Sequence, residues 1–304
     1  MNTLVIGGTG LISGGITRAL LRRGHRVTVF HRGRTRLRER GVREVLGDRQ
    51  DRAVFEAAMR TLSAERPWDA VFDLISFNRD DAASAVRAFR GRVRHFLFCS
   101  TVCAVGVPTT KLICDEDEPY HPISGYGRGK RDAERLLRGA WRSSRFPVTV
   151  FRPSHTYGPG GGWVLGTFMT DWEKDAELVN RIRRGKPVVV HGDGEAIWQS
   201  CYVDDVANGF VAAAGCRKTL GQIYNICGRD LLTWNEYYAA VGRAVGRAPR
   251  IVHVPTDAIL REAPEGATGF LREIGRYHGT YSTAKLRRDV PGFDHAFHIG
   301  PNAP

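Results

Sequence analysis

The chain has 304 residues, 42% of them hydrophobic and 25% charged, the proportions of a globular protein with material for one large or two smaller domains. No apolar run approaches the roughly 18 residues of a membrane helix, so no membrane partner is expected. The net charge of +13 is nearly all arginine, with six lysines among 45 basic residues.

Those arginines are scattered apart from "HRGRTRLRERGVR" (31–43), so nucleic acid is not the expected partner. The six cysteines (99, 103, 114, 201, 216, 227) form no Cys-x-x-Cys and no metal-ligand spacing. They read as reduced thiols of a cytoplasmic protein without a metal. The N-terminus, "MNTLVIGGTG", enters an apolar strand with no basic stretch before it, as a fold begins rather than a signal peptide.

In chain order, the first predicted strand is "TLVI" (3–6). The turn "GGTGLISGG" follows, then a helix in "ITRALLRRGH" stopped at Gly24, then the strand "RVTVF". Strand, glycine turn, helix and strand within about 30 residues make a dinucleotide-binding context. Gly7, Gly8 and Gly10 let backbone come close to a pyrophosphate at the helix N-terminus, where the dipole favours anions. Gly7, Gly10, Leu11 and Ile12 are therefore candidate cofactor contacts.

The end of the second strand discriminates NAD from NADP. A carboxylate there binds the adenosine ribose hydroxyl, whereas arginine accepts a phosphate on it. The chain reads "VTVFHRGRTR", with His31, Arg32 and Arg34 in place of an acid, which favours NADP over NAD. A third strand, "VREVLGD" (42–48), is expected to end at Asp48, against the adenine. Strands at 68–76 and 94–102 continue the alternation. An α/β fold with a doubly wound parallel sheet follows, with ligands at the strand C-termini. The tip of the fifth strand, "CST" (99–101), belongs at that crevice.

"SGYGRGK" (124–130) sets Tyr126 four residues before Lys130 on one helix face. That pair is either an ordinary surface pair or a phenol whose pKa a cation lowers.

With "FCSTVCAVG" (98–106), "RPSHTYGPG" (152–160), "HGDGEAIWQSCYVDDVANGF" (191–210) and "GQIYNICG" (221–228), the chain resembles extended short-chain dehydrogenase/reductases of the NAD-dependent epimerase/dehydratase type. The resemblance implies that Tyr126 is the catalytic acid/base. Lys130 lowers its pKa and holds the nicotinamide ribose, and Thr101, 25 residues earlier, hydrogen-bonds the substrate oxygen. It implies a Rossmann-type domain over 1–155, with 191–228 returning to it. Segments 156–190 and 229–304 form a smaller substrate-binding domain, and a homodimer stays open.

The implied reaction is epimerisation or dehydration of a sugar, nucleoside or nucleotide-sugar, through transient oxidation of a secondary alcohol with the hydride returned. The alternatives are an NADPH-dependent ketoreductase and a non-catalytic or RNA-binding relative. Ser13 departs from the third glycine of the family turn. His155 and Trp198 stand where nucleotide-sugar members carry an asparagine and a diphosphate-gripping arginine, so both are candidate substrate contacts. Trp198 either stacks on the substrate or packs in the core. Val102 and Cys103 replace the Asp-Glu of 4,6-dehydratases. Cys103 is read either as a second base or as a small buried hydrophobe. Asp204 and Asp205 are expected to cap a helix.

Overall fold

The structure is a computed structural model that describes residues 1–37, 39–159, 175–263 and 268–296. Residues 160–174 of the first segment assigned to the substrate domain, and the chain end beyond 296, lie outside them.

The first half alternates strands and helices: β1 (Asn2–Ile6), α1 (Leu11–Arg22), β2 (Arg26–His31), β3 (Arg43–Leu46), α2 (Arg52–Glu65), β4 (Ala70–Asp73), α3 (Arg79–Phe89), β5 (Phe96–Cys99), α4 (Gly125–Ser144) and β6 (Val148–Pro153). Beyond it come β7 (His155–Tyr157), α5 (Asp175–Arg183), β8 (Pro187–His191), β9 (Ile197–Trp198), β10 (Ser200–Tyr202), α6 (Val203–Ala213) and β11 (Ile223–Ile226). The last elements are β12 (Leu232–Thr233), α7 (Trp234–Val245), β13 (Arg250–Val254), α8 (Thr256–Glu262) and α9 (Ala284–Asp289). Among the described residues no helix is long and apolar enough to cross a membrane.

Seven strands form one parallel sheet in the order β11-β6-β5-β4-β1-β2-β3. The order reverses between β1 and β4, which opens a crevice at the strand C-termini there. Both sheet faces are covered, so the central strands are apolar throughout and alternate residues go to opposite cores. Leu4, Ile6, Phe96 and Phe98 pack under α2, α3 and α4. Val5, Phe72, Leu97 and Phe151 pack under α1 and α6. A third core, with Ile182, Val190, Trp198, Trp234, Tyr238 and Leu271, belongs to the C-terminal elements.

Two local expectations are corrected. β3 stops at Leu46 rather than Asp48, because the exposed Asp48 carboxylate accepts the Gln50 amide at 2.8 Å and turns the chain toward α2. Asp204 and Asp205 do not cap α6. Tyr202 is the N-cap and the aspartates sit in the first turn, where Asp205 accepts the Ala296 amide at 2.9 Å. Negative charge in the first turn still favours the helix dipole.

Candidate active site

The turn from β1 to α1 has the shape a dinucleotide needs. Gly7 and Gly8 have φ of +116° and +27°, in the region glycine tolerates best. A Cβ on Gly8 would stand 1.9 Å from Val29, so the turn lies directly against β2. Gly10 is the N-cap of α1, and its amide donates to Ser13 Oγ at 2.9 Å. Ser13, buried in place of a third glycine, thus satisfies a backbone donor of the turn. The next amides, of Leu11 and Ile12, open the helix, where N–H groups have no intrahelical acceptor. They are the donors left to face a pyrophosphate.

At the tip of β2, His31 is buried and its Nδ1 accepts the Gly33 amide at 3.2 Å. Its Nε2 lies 3.4 Å from Glu44, so the ring braces the loop that carries the exposed Arg32 and Arg34. The cradle fits a pyrophosphate, and these two guanidinium groups are exposed cations just past the tip of β2.

Across the crevice, Thr101 follows β5 and caps a short turn, its Oγ1 accepting the Cys103 amide at 3.2 Å. Ser124 caps α4 through the Gly127 amide at 2.9 Å, which puts Tyr126 in the first turn. The glycines of "YGRGK" let this helix sit against backbone. A Cβ on Gly127 would stand 2.3 Å from the Cys103 carbonyl oxygen, and one on Gly129 2.4 Å from that of Phe77. Tyr126 is thereby held between the Thr101 turn and the loop after β4.

Lys130 is 1% exposed and donates to the carbonyls of Ser76 at 2.8 Å and Cys99 at 2.7 Å. Its Nζ is 5.9 Å from the Tyr126 ring centroid. Burial lowers its pKa, against the pull of nearby Cys99 and Asp73. Burial also pushes the Tyr126 phenol up, with Cys103 and Cys99 adding to it and a hydrogen bond to Thr101 opposing it. Because 48% of the residue faces solvent, that push is weaker than full burial would give.

Two buried ion pairs, unremarked in the sequence, hold this arrangement from behind. Arg49 is 2% exposed and reaches Asp73 at 3.3 Å, while Ser76 Oγ donates to the same carboxylate at 2.6 Å. That fixes the carbonyl Lys130 binds. Arg152 grips Glu134 of α4 with Nε and Nη2, at 3.0 and 2.7 Å, and Ser100 also donates to Glu134. The one available signal was Asp73 in "AVFDLI" and Arg152 in "VTVFRP", charges inside otherwise apolar segments, where an unpaired charge is too costly to bury.

Cys103 lines a narrow cavity with Val102, Ser124, Glu273, Ile274 and Tyr281. Burial pushes its thiol up to about 11. His155 and Trp198 are placed together but not in that lining. Their rings are 4.7 Å apart, and Trp198 stacks on Trp234 at 4.7 Å, 6% exposed. Trp198 is packed in the third core. Glu273, on the segment before Tyr277, was not singled out from the sequence, since nothing local distinguishes it from a surface acid.

A doubly wound sheet, a glycine cradle and a Thr–Tyr–Lys set across one crevice describe a dinucleotide-dependent enzyme. Residues 3–227 match the NAD dependent epimerase/dehydratase family, and the chain belongs to that family. It is an enzyme of the short-chain dehydrogenase/reductase superfamily and binds NAD(P). It is 30% identical over 296 residues to 2'-dehydrokanamycin reductase of Streptomyces kanamyceticus, covering 96% of this chain and 80% of that protein. It is 27% identical over 268 residues to chloroplast stem-loop binding protein of 41 kDa b of Arabidopsis thaliana, covering 82% of this chain and 65% of that one. In fold it resembles UDP-glucose 4-epimerase of Thermotoga maritima, with a TM-score of 0.76, 22% identity, and 98% and 95% of the two chains covered.

Proposed function

We propose that the protein is an NADP-dependent ketoreductase that interconverts a ketone and a secondary alcohol on a sugar-like polyol. The observation that carries this reading is one acid/base phenol, Tyr126, set beside Thr101 and Lys130, while burial keeps the proton on the Cys103 thiol two residues past Thr101. The dinucleotide, when bound, supplies or accepts the hydride. Tyr126 donates its proton to the ketone oxygen in reduction and takes it back in oxidation. Thr101 donates a hydrogen bond to that oxygen. The Lys130 ammonium favours the phenolate left behind. Arg32 and Arg34 support NADP over NAD, as cations at the ribose end.

Epimerisation or dehydration with the hydride returned is the second reading, and the place of Cys103, two residues past Thr101 in the cavity lining, favours it. It needs one base beyond Tyr126, for which Cys103 and His155 are the candidates, and burial holds the Cys103 thiol at about 11. The reductase relative spans 96% of this chain, which supports the first reading. Nucleic-acid binding, suggested by the name of the Arabidopsis relative, makes no use of Thr101, Tyr126 and Lys130.

The test is incubation of the purified protein with NADPH and a set of keto-glycosides and keto-nucleosides in deuterated water. Stoichiometric NADPH oxidation with product alcohol is expected. Solvent deuterium at the carbon beside the carbinol, without net loss of NADPH, would establish the second reading instead.

A further inference from the structure

We propose that Arg49 and Asp73 are a positioning pair for Lys130, holding the loop after β4 (residues 74–77) that joins the dinucleotide turn to α4. The proposal rests on the role given to Lys130 above, which the ketoreductase and internal-redox readings share.

All four amides of that loop have fixed acceptors. Leu74 donates to the Ile6 carbonyl of β1 at 3.2 Å. Ile75 and Ser76 donate to Asp73 Oδ1 at 3.2 and 3.1 Å, and Phe77 donates to Asp81 Oδ2 at 3.0 Å. Asp73 and Asp81 are fully buried, and a buried carboxylate needs both a counter-charge and hydrogen bonds. Arg49 is the counter-charge of Asp73, at 3.3 Å, and the same nitrogen donates to Ser76 Oγ and to the Asp81 carbonyl. Arg52 meets the Asp81 carboxylate at 3.2 Å.

The loop touches both halves of the site. A Cβ on Gly7 would stand 2.9 Å from Ile75 Cγ2, so the Ile75 side chain walls the dinucleotide turn. One residue on, the Ser76 carbonyl accepts from Lys130 Nζ at 2.8 Å. The Phe77 ring centroid lies 4.8 Å from that nitrogen and 6.4 Å from the Tyr126 ring. A displaced loop therefore moves the cradle wall and the acceptor of the ammonium together. Charge acts in the same direction. Burial disfavours the Lys130 ammonium; Cys99 of β5, Asp73 of β4 and Glu134 of its own helix favour it, and Arg49 opposes it. With Arg49 in place Asp73 is neutralised, and Lys130 stays on the Ser76 and Cys99 carbonyls. Without Arg49 the bare carboxylate competes for the ammonium.

The experiment follows Lys130 by NMR in protein carrying carbon-13 at the lysine Cε, where only six lysines contribute and Lys130→Arg assigns the signal. The Lys130 titration is expected at higher pH than wild type in Arg49→Met, at lower pH in Asp73→Asn, and back near wild type in the double variant. Calorimetric titration of NADP should show binding about tenfold or more weaker in Arg49→Met, and within about threefold of wild type in the double variant. A role in folding alone would lower the melting temperature and leave the Lys130 titration where it is. A titration unmoved in the single variants, a displacement the double variant does not reverse, or NADP affinity unchanged in Arg49→Met overturns the proposal. The two single variants shift in opposite directions, so either one read against the double variant decides the matter if the other does not fold. Every reading is taken without substrate. A protein that shows this pattern and reduces no keto-sugar sinks the ketoreductase reading alone.

Discussion

Tyr126 and Lys130 were legible as a pair, but what fixes them was not. Their spacing is local, whereas the backbone that Gly127 and Gly129 approach belongs to Cys103 and Phe77, far away in sequence. The Lys130 ammonium donates to the Ser76 and Cys99 carbonyls, partners that its own helix does not announce. At the tip of β2 the sequence grouped His31 with Arg32 and Arg34. The structure separates them: a buried ring bracing the loop, and two exposed cations. Replacing both arginines with alanine is expected to weaken NADP binding about tenfold or more and leave NAD binding nearly unchanged, since each charge-assisted phosphate contact is worth roughly 1–2 kcal/mol. Titration of both dinucleotides into wild type and the double variant checks this. A wild type that prefers NAD contradicts it.

Elements are locked to one another by polar groups that one sequence cannot pair. Glu134 joins α4 to β6 through Arg152, and removing one partner of such a buried pair costs about 3–5 kcal/mol. His95, before β5, plays a similar part at the opposite end of β6. Its Nδ1 accepts the Gly215 amide at 3.0 Å, so Nε2 carries the hydrogen and donates to Thr149 of β6 at 2.7 Å. Burial lowers its pKa from 6.5 to about 4. The unfolded chain therefore takes up this proton at a higher pH than the folded one. The stability it contributes is full above pH ~6.5 and is lost as pH falls toward ~4, by about 3 kcal/mol. Urea unfolding at several pH values should show wild type losing its advantage over His95→Gln across that window. A gap between them that does not change with pH would contradict the assignment.

At the scale of the molecule, the parallel sheet was readable because both of its faces are covered, which leaves the strands as short apolar runs between glycine turns. The C-terminal elements were less legible. Their two-stranded pairings and aromatic core are assembled from segments about 30 to 80 residues apart, so no single window has a period to read. Glu273, in the lining of the cavity beside Cys103, sits among them, which is why it escaped the sequence. The account as a whole depends on Tyr126 moving a proton in step with hydride transfer. That is tested most directly by single-turnover transfer of deuteride from labelled NADPH to a keto-sugar, in wild type and in Tyr126→Phe. Wild type should place the label on the carbinol carbon. Tyr126→Phe should do so about a hundredfold to ten-thousandfold more slowly, with NADP affinity nearly unchanged. Transfer at the wild-type rate in Tyr126→Phe would contradict the account.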